Sequence, residues 1–278
     1  MPRFRHEGHR LAYTVYGKGP HTTVLMPGLL LSQKMQIPLA RKLAAGGNRV
    51  ITFDPLGHGA SDRPRDMTLY SMSAFATQAV ALLDHLELDQ AVVGGTSLGA
   101  NITLELAQLA PDRVRGMVLE MPVLDNAIPA CAAAFTPLLF VLTFGEPVMK
   151  RVAGAARLVP GDRLPFLLEL GLDWFAQEPG PSGAVLHGIL FGRTAPPRTE
   201  RMTFEAPALV IGHPRDPVHP FSDADMLAAE LPNASLIDAN SVLELRLRPA
   251  RLTTKISEFV ERCWSGGAAG ATAAAGAA

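Results

Sequence analysis

The sequence predicts an α/β domain: a mostly parallel central sheet flanked by helices, with a helical cap inserted into it. Three observations carry this expectation. Short apolar runs alternate with helix-spaced segments from Leu11 to Leu109 and again from Ala208 to Cys263, the pattern of a parallel sheet covered on both faces. That rhythm breaks between Val123 and Arg201, where Ala, Leu, Phe, Gly and Pro dominate and helices follow one another without strands. The chain has 278 residues, 48% hydrophobic and 18% charged, enough to bury one large core and an inserted sub-domain.

The elements follow in order. Leu11–Tyr16 and Thr22–Met26 read as strands, separated by the turn signal Lys18-Gly19-Pro20. Leu39–Ala45 has helical spacing and stops at Gly46-Gly47, where glycine can take the left-handed cap conformation. Arg49–Phe53 is a short β-branched strand ending at Asp54-Pro55. Ser71 or Ser73 can cap a long amphipathic helix reaching Leu86. Ala91–Val93 is a fully apolar strand, a helix runs from Ser97 to Leu109 ahead of Pro111, and Gly116–Glu120 is another strand. After the insertion come a strand at Ala208–Ile211, a helix near Asp223–Leu231, a short strand at Ser235–Ile237 and a helix at Ala250–Cys263. The tail from Ser265 to Ala278 is almost all Gly, Ala and Ser and reads as disordered. The expected division is a core in two parts, 1–122 and 202–264, a cap at 123–201 and a tail at 265–278.

Composition excludes several classes. A formal net charge of −1 offers no broad basic field for nucleic acid or an anionic membrane. Cys131 and Cys263 fit neither a disulfide framework nor a metal-binding spacing. Met1–His6 has no apolar segment behind it that would read as a secretory signal. Together these point to a cytoplasmic location. The most apolar stretch, Ile128 to Gly145, is interrupted by Pro129 and Pro137 and lacks a flanking basic cluster, so it reads as a buried or pocket-lining helix rather than a stable membrane span. No phosphate-binding loop, paired histidines at helical spacing or cysteine cluster appears, so neither a cofactor nor a metal is expected. The sequence fixes no oligomeric state.

The chemistry centres on Gly95-Thr96-Ser97-Leu98-Gly99. The pattern G-x-S-x-G is weak alone, but here a strand precedes it and a helix follows it. A strained turn in that setting lifts the serine hydroxyl out of the sheet, with glycines where side chains would collide with backbone. The helix N-terminus and the Leu98 amide then favour an oxyanion.

With this context the chain resembles the α/β-hydrolase superfamily over roughly residues 10–263. Other segments match. Leu25-Met26-Pro27-Gly28-Leu29 resembles the oxyanion loop, with proline in place of the usual histidine. Asp54 to Asp62 resembles the loop after the next strand, and Leu209 to Pro217 the strand and loop that present the triad acid. The resemblance implies Ser97 as nucleophile, Asp216 as triad acid, and the Leu29 and Leu98 amides as the oxyanion hole. His58, between two glycines, reads as structural. Dehalogenases and epoxide hydrolases of this fold carry aspartate where Ser97 stands, so the resemblance favours a serine hydrolase.

One member is missing from its place. In this fold the order is Ser, then acid, then His, yet none of the eight histidines lies beyond position 219, and the expected segment from Asn240 to Glu244 holds none. The triad therefore reads as incomplete. His213 or His219, flanking Asp216, could serve as base, as could His187 from the cap or Glu244 if burial raised its pKa. Otherwise the protein is a non-hydrolytic catalyst or a ligand-binding protein. The apolar cap, with Phe135, Leu138, Leu139 and Phe140 in one run and Phe166 to Phe175 in another, suits a small apolar ester, lactone or thioester.

Overall fold

The computed structural model describes residues 1–161 and 164–274, with side chains described as far as Ser265. Eight strands form one sheet in the order β1-β2-β4-β3-β5-β6-β7-β8. They are β1 Arg3–His6, β2 His9–Tyr16, β3 Thr22–Met26, β4 Arg49–Asp54, β5 Ala91–Thr96, β6 Val114–Glu120, β7 Ala208–Gly212 and β8 Ala234–Asp238. β2 runs antiparallel to β1 and β4, and the other pairs are parallel. The fold is the α/β-hydrolase fold. β1 escaped the sequence pattern. It is four residues long and closes a hairpin through Glu7 and Gly8, both at positive φ (46° and 82°).

Alternation along the central strands feeds two cores. Val93 and Leu119 face one side and meet Phe75, Leu82, Ile102 and Leu106 from α2 (Met72–His85) and α3 (Leu98–Leu109). Val92 and Val118 face the other and meet Leu39 and Leu43 of α1 (Ile37–Ala45) with Ile256 and Phe259 of the last helix. Burying each such side chain contributes roughly 1.5–3 kcal/mol, so the inner strands are the most firmly held part of the sheet. Ser71, not Ser73, caps α2, its hydroxyl accepting the Ala74 N–H at 3.1 Å. Ser73 instead donates to Glu105 at 2.6 Å.

Among the described residues five α-helices lie between β6 and β7: α4 Ile128–Phe144, α5 Glu146–Arg157, α6 Phe166–Phe175, α7 Pro179–Leu190 and α8 Arg198–Arg201. They are tied to the core by polar contacts. Ser32 donates to Asp173 at 2.6 Å, and Asn101 donates to the Thr194 carbonyl at 2.8 Å. On α4, Leu142 is buried while Phe140 and Phe144 are exposed, so only one face is covered. Among the described residues no single helix is long and apolar enough to cross a membrane, and the α4–α5 pair is bent by 95°.

α9 (Phe221–Glu230), the short α10 (Glu244–Leu247) and α11 (Ala250–Ala274) complete the chain. α11 continues beyond Cys263 into the segment whose composition predicts disorder. Leu252, Ile256 and Val260 anchor the helix, and the alanines beyond Cys263 favour its continuation against the cost of Gly266, Gly267 and Gly270. Residues 275–278 lie outside the described residues.

Candidate active site

Ser97 stands at the C-terminal end of β5, in the middle of the sheet between β3 and β6. Parallel sheets bind ligands at that edge. The turn is tight enough to require its glycines. A Cβ on Gly95 would lie 2.5 Å from the Met26 carbonyl oxygen and 2.8 Å from Gly99 backbone, and one on Gly99 would meet the same oxygen at 2.5 Å. Ser97 itself takes φ 53°, ψ −108°, a conformation that costs a non-glycine residue roughly 1–3 kcal/mol. Its N–H is held by the Glu120 carbonyl at 2.8 Å, and its own carbonyl accepts the Asn101 N–H at 3.0 Å.

The loop after β7 supplies both partners. Asp216 Oδ1 accepts the Val218 and His219 N–H groups at 2.8 and 3.0 Å, while Oδ2 lies 3.0 Å from His219 Nδ1. His219 Nε2 lies 2.8 Å from Ser97 Oγ. In the arrangement this favours, Nδ1–H donates to the carboxylate and Nε2 accepts the serine proton. Burial works to raise the Asp216 carboxyl, but the His219 ring and the two amides outweigh it and hold it below the usual carboxylate range.

The sequence reads as a triad without its usual histidine, and the structure places a different imidazole, that of His219, against both Ser97 and Asp216. The segment after β8 does lack a histidine, but the imidazole arrives three residues beyond the acid. The other candidate bases stand elsewhere. His213 is buried, with Nδ1 3.0 Å from the Ser241 carbonyl. His187 is stacked on Phe191. Glu244 is bonded to Arg251 and to the Asn240 N–H, and Arg251 above all pulls its carboxyl below the ordinary range, the reverse of what a base requires. His58 is fully buried, its Nδ1 donating to the Leu56 carbonyl at 3.0 Å.

Leu98 opens α3, and a helix's first amides have no intrahelical acceptor. Leu29 lies in a turn closed by the Leu31 N–H on the Gly28 carbonyl at 3.0 Å, with Leu30 at φ 56°. Among the described residues neither the Leu29 nor the Leu98 amide has a backbone acceptor outside the helix. Both residues line, with Ser97, a cavity of about 150 Å³ walled by Phe135 of α4 and by Leu186 and Ile189 of α7. Among the described residues no charged side chain lines it. Asn101 does, but its amide is already engaged by Val123 and Thr194. A larger depression of about 780 Å³ lies near Gln90, Val114 and Pro207, at the N-terminal ends of the strands, and holds none of these groups.

Beneath Ser97 lies a set of charges that the sequence does not advertise. Glu120 and His213 are buried and the Arg246 side chain is largely covered beside them, with Arg246 Nη2 2.7 Å from Glu120 Oε2. Burial alone would raise the Glu120 carboxyl; Arg246 and His213 instead bring it down to about 2. The only sequence signal is a carboxylate closing the apolar run Gly116–Leu119 of β6.

The comparisons agree with the architecture. Residues 23–142 match the family model described as alpha/beta hydrolase fold. A 2-hydroxymuconate semialdehyde hydrolase from Pseudomonas sp. (strain CF600) is 37% identical over 105 residues, covering 38% of this chain and 34% of that protein's length. Epoxide hydrolase A of Mycobacterium tuberculosis is 27% identical over 285 residues, 84% and 87% of the two chains. The crystal structure of an enol-lactonase from Burkholderia xenovorans LB400 superposes with a TM-score of 0.75 at 19% identity, over 94% of this chain and all of that one. The match to the alpha/beta hydrolase family model thus spans residues 23–142, and over the rest of the chain the likeness is one of fold.

Proposed function

We propose that the protein is a serine hydrolase of small, uncharged apolar esters, lactones or thioesters. The observation that carries this is the unbroken run Ser97 Oγ, His219 Nε2, His219 Nδ1, Asp216 Oδ2, with contacts of 2.8 and 3.0 Å. Ser97 Oγ bonds to the carbonyl carbon as its proton passes to His219 Nε2. The Leu29 and Leu98 amides receive the oxyanion, a contribution of about 3 kcal/mol per donor in comparable sites. The carbon–oxygen or carbon–sulfur bond then breaks, and His219 returns the proton to the leaving group. Water repeats the sequence on the acyl-enzyme, releasing the acid and restoring Ser97. Asp216 keeps the imidazole in the tautomer that accepts from serine.

The cavity supports the substrate class. A space of about 150 Å³ lined by Leu, Ile and Phe holds a group the size of benzene, and an uncharged lining offers nothing to a carboxylate buried there. Likeness to an epoxide hydrolase does not extend the reading to epoxides, because Ser97 stands where the family's epoxide chemistry uses a carboxylate.

A fluorophosphonate probe tests the reading without knowing the substrate: the Ser97 oxygen–phosphorus bond forms, fluoride leaves, and the proton goes to His219. Labelling that disappears in Ser97→Ala, alongside turnover of short-chain esters by the wild type, is expected. Folded protein that neither labels nor turns over any ester would instead be a ligand-binding member of the fold.

A further inference from the structure

Four segments distant in sequence meet around one buried hydroxyl beneath the nucleophile. Thr96, the residue before Ser97, donates from Oγ1 to Glu120 Oε2 at 2.5 Å. Thr96 Oγ1 in turn accepts from Arg246 Nη2 at 2.8 Å and from Gln36 Nε2 at 3.1 Å. A hydroxyl has one donor and two acceptor positions, so Thr96 is saturated. Gln36 also donates to the Met26 carbonyl at 2.8 Å, at the end of the strand leading to Leu29. Arg246 also donates to Glu120 Oε2, and His213, at the head of the loop of Asp216 and His219, sits with Nε2 3.2 Å from Glu120 Oε1. That last contact is not aligned as a hydrogen bond. One polar network thus touches the oxyanion strand, the nucleophile turn, the acid–base loop and the turn after β8.

Stability gives little reason for it. A buried ion pair roughly breaks even against apolar side chains of the same volume, and the strand neighbours here, Val93, Val118 and Leu119, are apolar. What distinguishes the network is its location. Reacting groups need placement within about 0.5 Å, and a 1 Å error costs about 10²-fold in rate. Ser97 and His219 come from different strands and depend on the loops between them keeping register. The segment after β8 carries no imidazole to the serine; it sends Arg246 under the serine's strand.

We propose that Thr96, Glu120 and Arg246 form a positioning brace that holds the Ser97 turn in register with His219 and with the oxyanion loop. The brace rests on the serine-hydrolase reading and touches no substrate; it acts through Ser97 and His219.

The test compares Thr96→Val, which removes the hydroxyl at nearly constant volume, with Thr96→Ser, which keeps it. Fluorophosphonate kinetics resolve probe affinity from the limiting rate at Ser97. Thr96→Val is expected to lower the limiting rate about 10- to 100-fold with affinity little changed, while Thr96→Ser stays near wild type. A wild-type limiting rate in Thr96→Val, or an equal loss in both variants, overturns the brace. Arg246→Lys, which keeps the charge but not the guanidinium geometry, is expected to show the same pattern and takes the place of Thr96→Val if that variant does not fold. A second readout needs no activity: the downfield proton resonance of His219 Nδ1–H against Asp216. Thr96→Val should shift or broaden it and Thr96→Ser preserve it. An unlabelled wild type would sink the hydrolase reading alone; a resonance indifferent to Thr96→Val would sink the brace.

Discussion

Asp216 grips His219 twice. One carboxylate oxygen lies 3.0 Å from the ring's Nδ1, and the other accepts the backbone N–H of the same residue at 3.0 Å. The acid therefore orients the imidazole and also folds the turn that delivers it.

The two duties separate by substitution. Asp216→Asn keeps an oxygen for the backbone amides but loses the anion that selects the tautomer. It is expected to fold normally and lose about 10³- to 10⁴-fold in turnover. Asp216→Ala should lose as much turnover and also destabilise the loop, read as faster amide exchange at Val218 and His219. With the three groups proposed to act as a unit, Ser97→Ala combined with His219→Ala should be no slower than Ser97→Ala alone.

The Ser97 turn tolerates no side chain at its flanks. Gly95→Ala or Gly99→Ala forces a methyl to within 2.5 Å of the Met26 carbonyl oxygen. Each is expected to lower stability by about 1–3 kcal/mol, seen as a drop in melting temperature, with loss of probe labelling. An alanine at Gly154, inside α5, where an added Cβ meets nothing within 4 Å, provides the control: labelling should be unchanged and the melting temperature equal or slightly higher.

His58 makes stability depend on pH. Burial lowers its pKa to about 4, so it is neutral when folded while the unfolded chain binds a proton below the ordinary value of 6.5. Its contribution is complete above pH 6.5 and is lost as pH falls toward 4, a loss on the order of 3 kcal/mol. Melting curves of wild type and His58→Asn should converge across that interval. Parallel curves would show that His58 is not the source. Glu120, brought down to about 2, extends the loss below the ordinary carboxylate range of about 4.5.

Under the proposed ester hydrolysis, the cavity beside Ser97 is expected to select acyl-chain length. Wild type is expected to prefer acyl groups of about four to six carbons. Phe135→Ala should move the optimum to longer chains and Ile189→Phe to shorter ones, measured as kcat/KM across a series of nitrophenyl esters. An unchanged optimum in both variants would place the acyl group outside the cavity of Ser97, Phe135 and Ile189.

Legibility in the sequence followed the range of the interactions. The Ser97 turn is written in five consecutive residues and their flanks, and the strand before Asp216 marks its loop. His219 was one candidate among several because its reach depends on how the whole loop from Gly212 to Pro220 lies over the sheet. Glu244 is a candidate base by its place in the sequence, and Arg251, seven residues on, holds it as an ion-paired carboxylate instead. The Glu120–Arg246 pair spans 126 residues, and no local pattern signals a contact of that range. The short β1 failed for the opposite reason: four residues carry too little pattern to register.

The order of these parts along the chain has a consequence for how the protein is made. Every group proposed to meet the substrate's carbonyl lies at or before position 219, whereas Arg246 comes 27 residues later. During synthesis from the N-terminus the reacting groups leave the ribosome first and the arginine beneath them follows. A nascent chain stalled short of Arg246 would carry all of its chemistry and lack the part that aligns it.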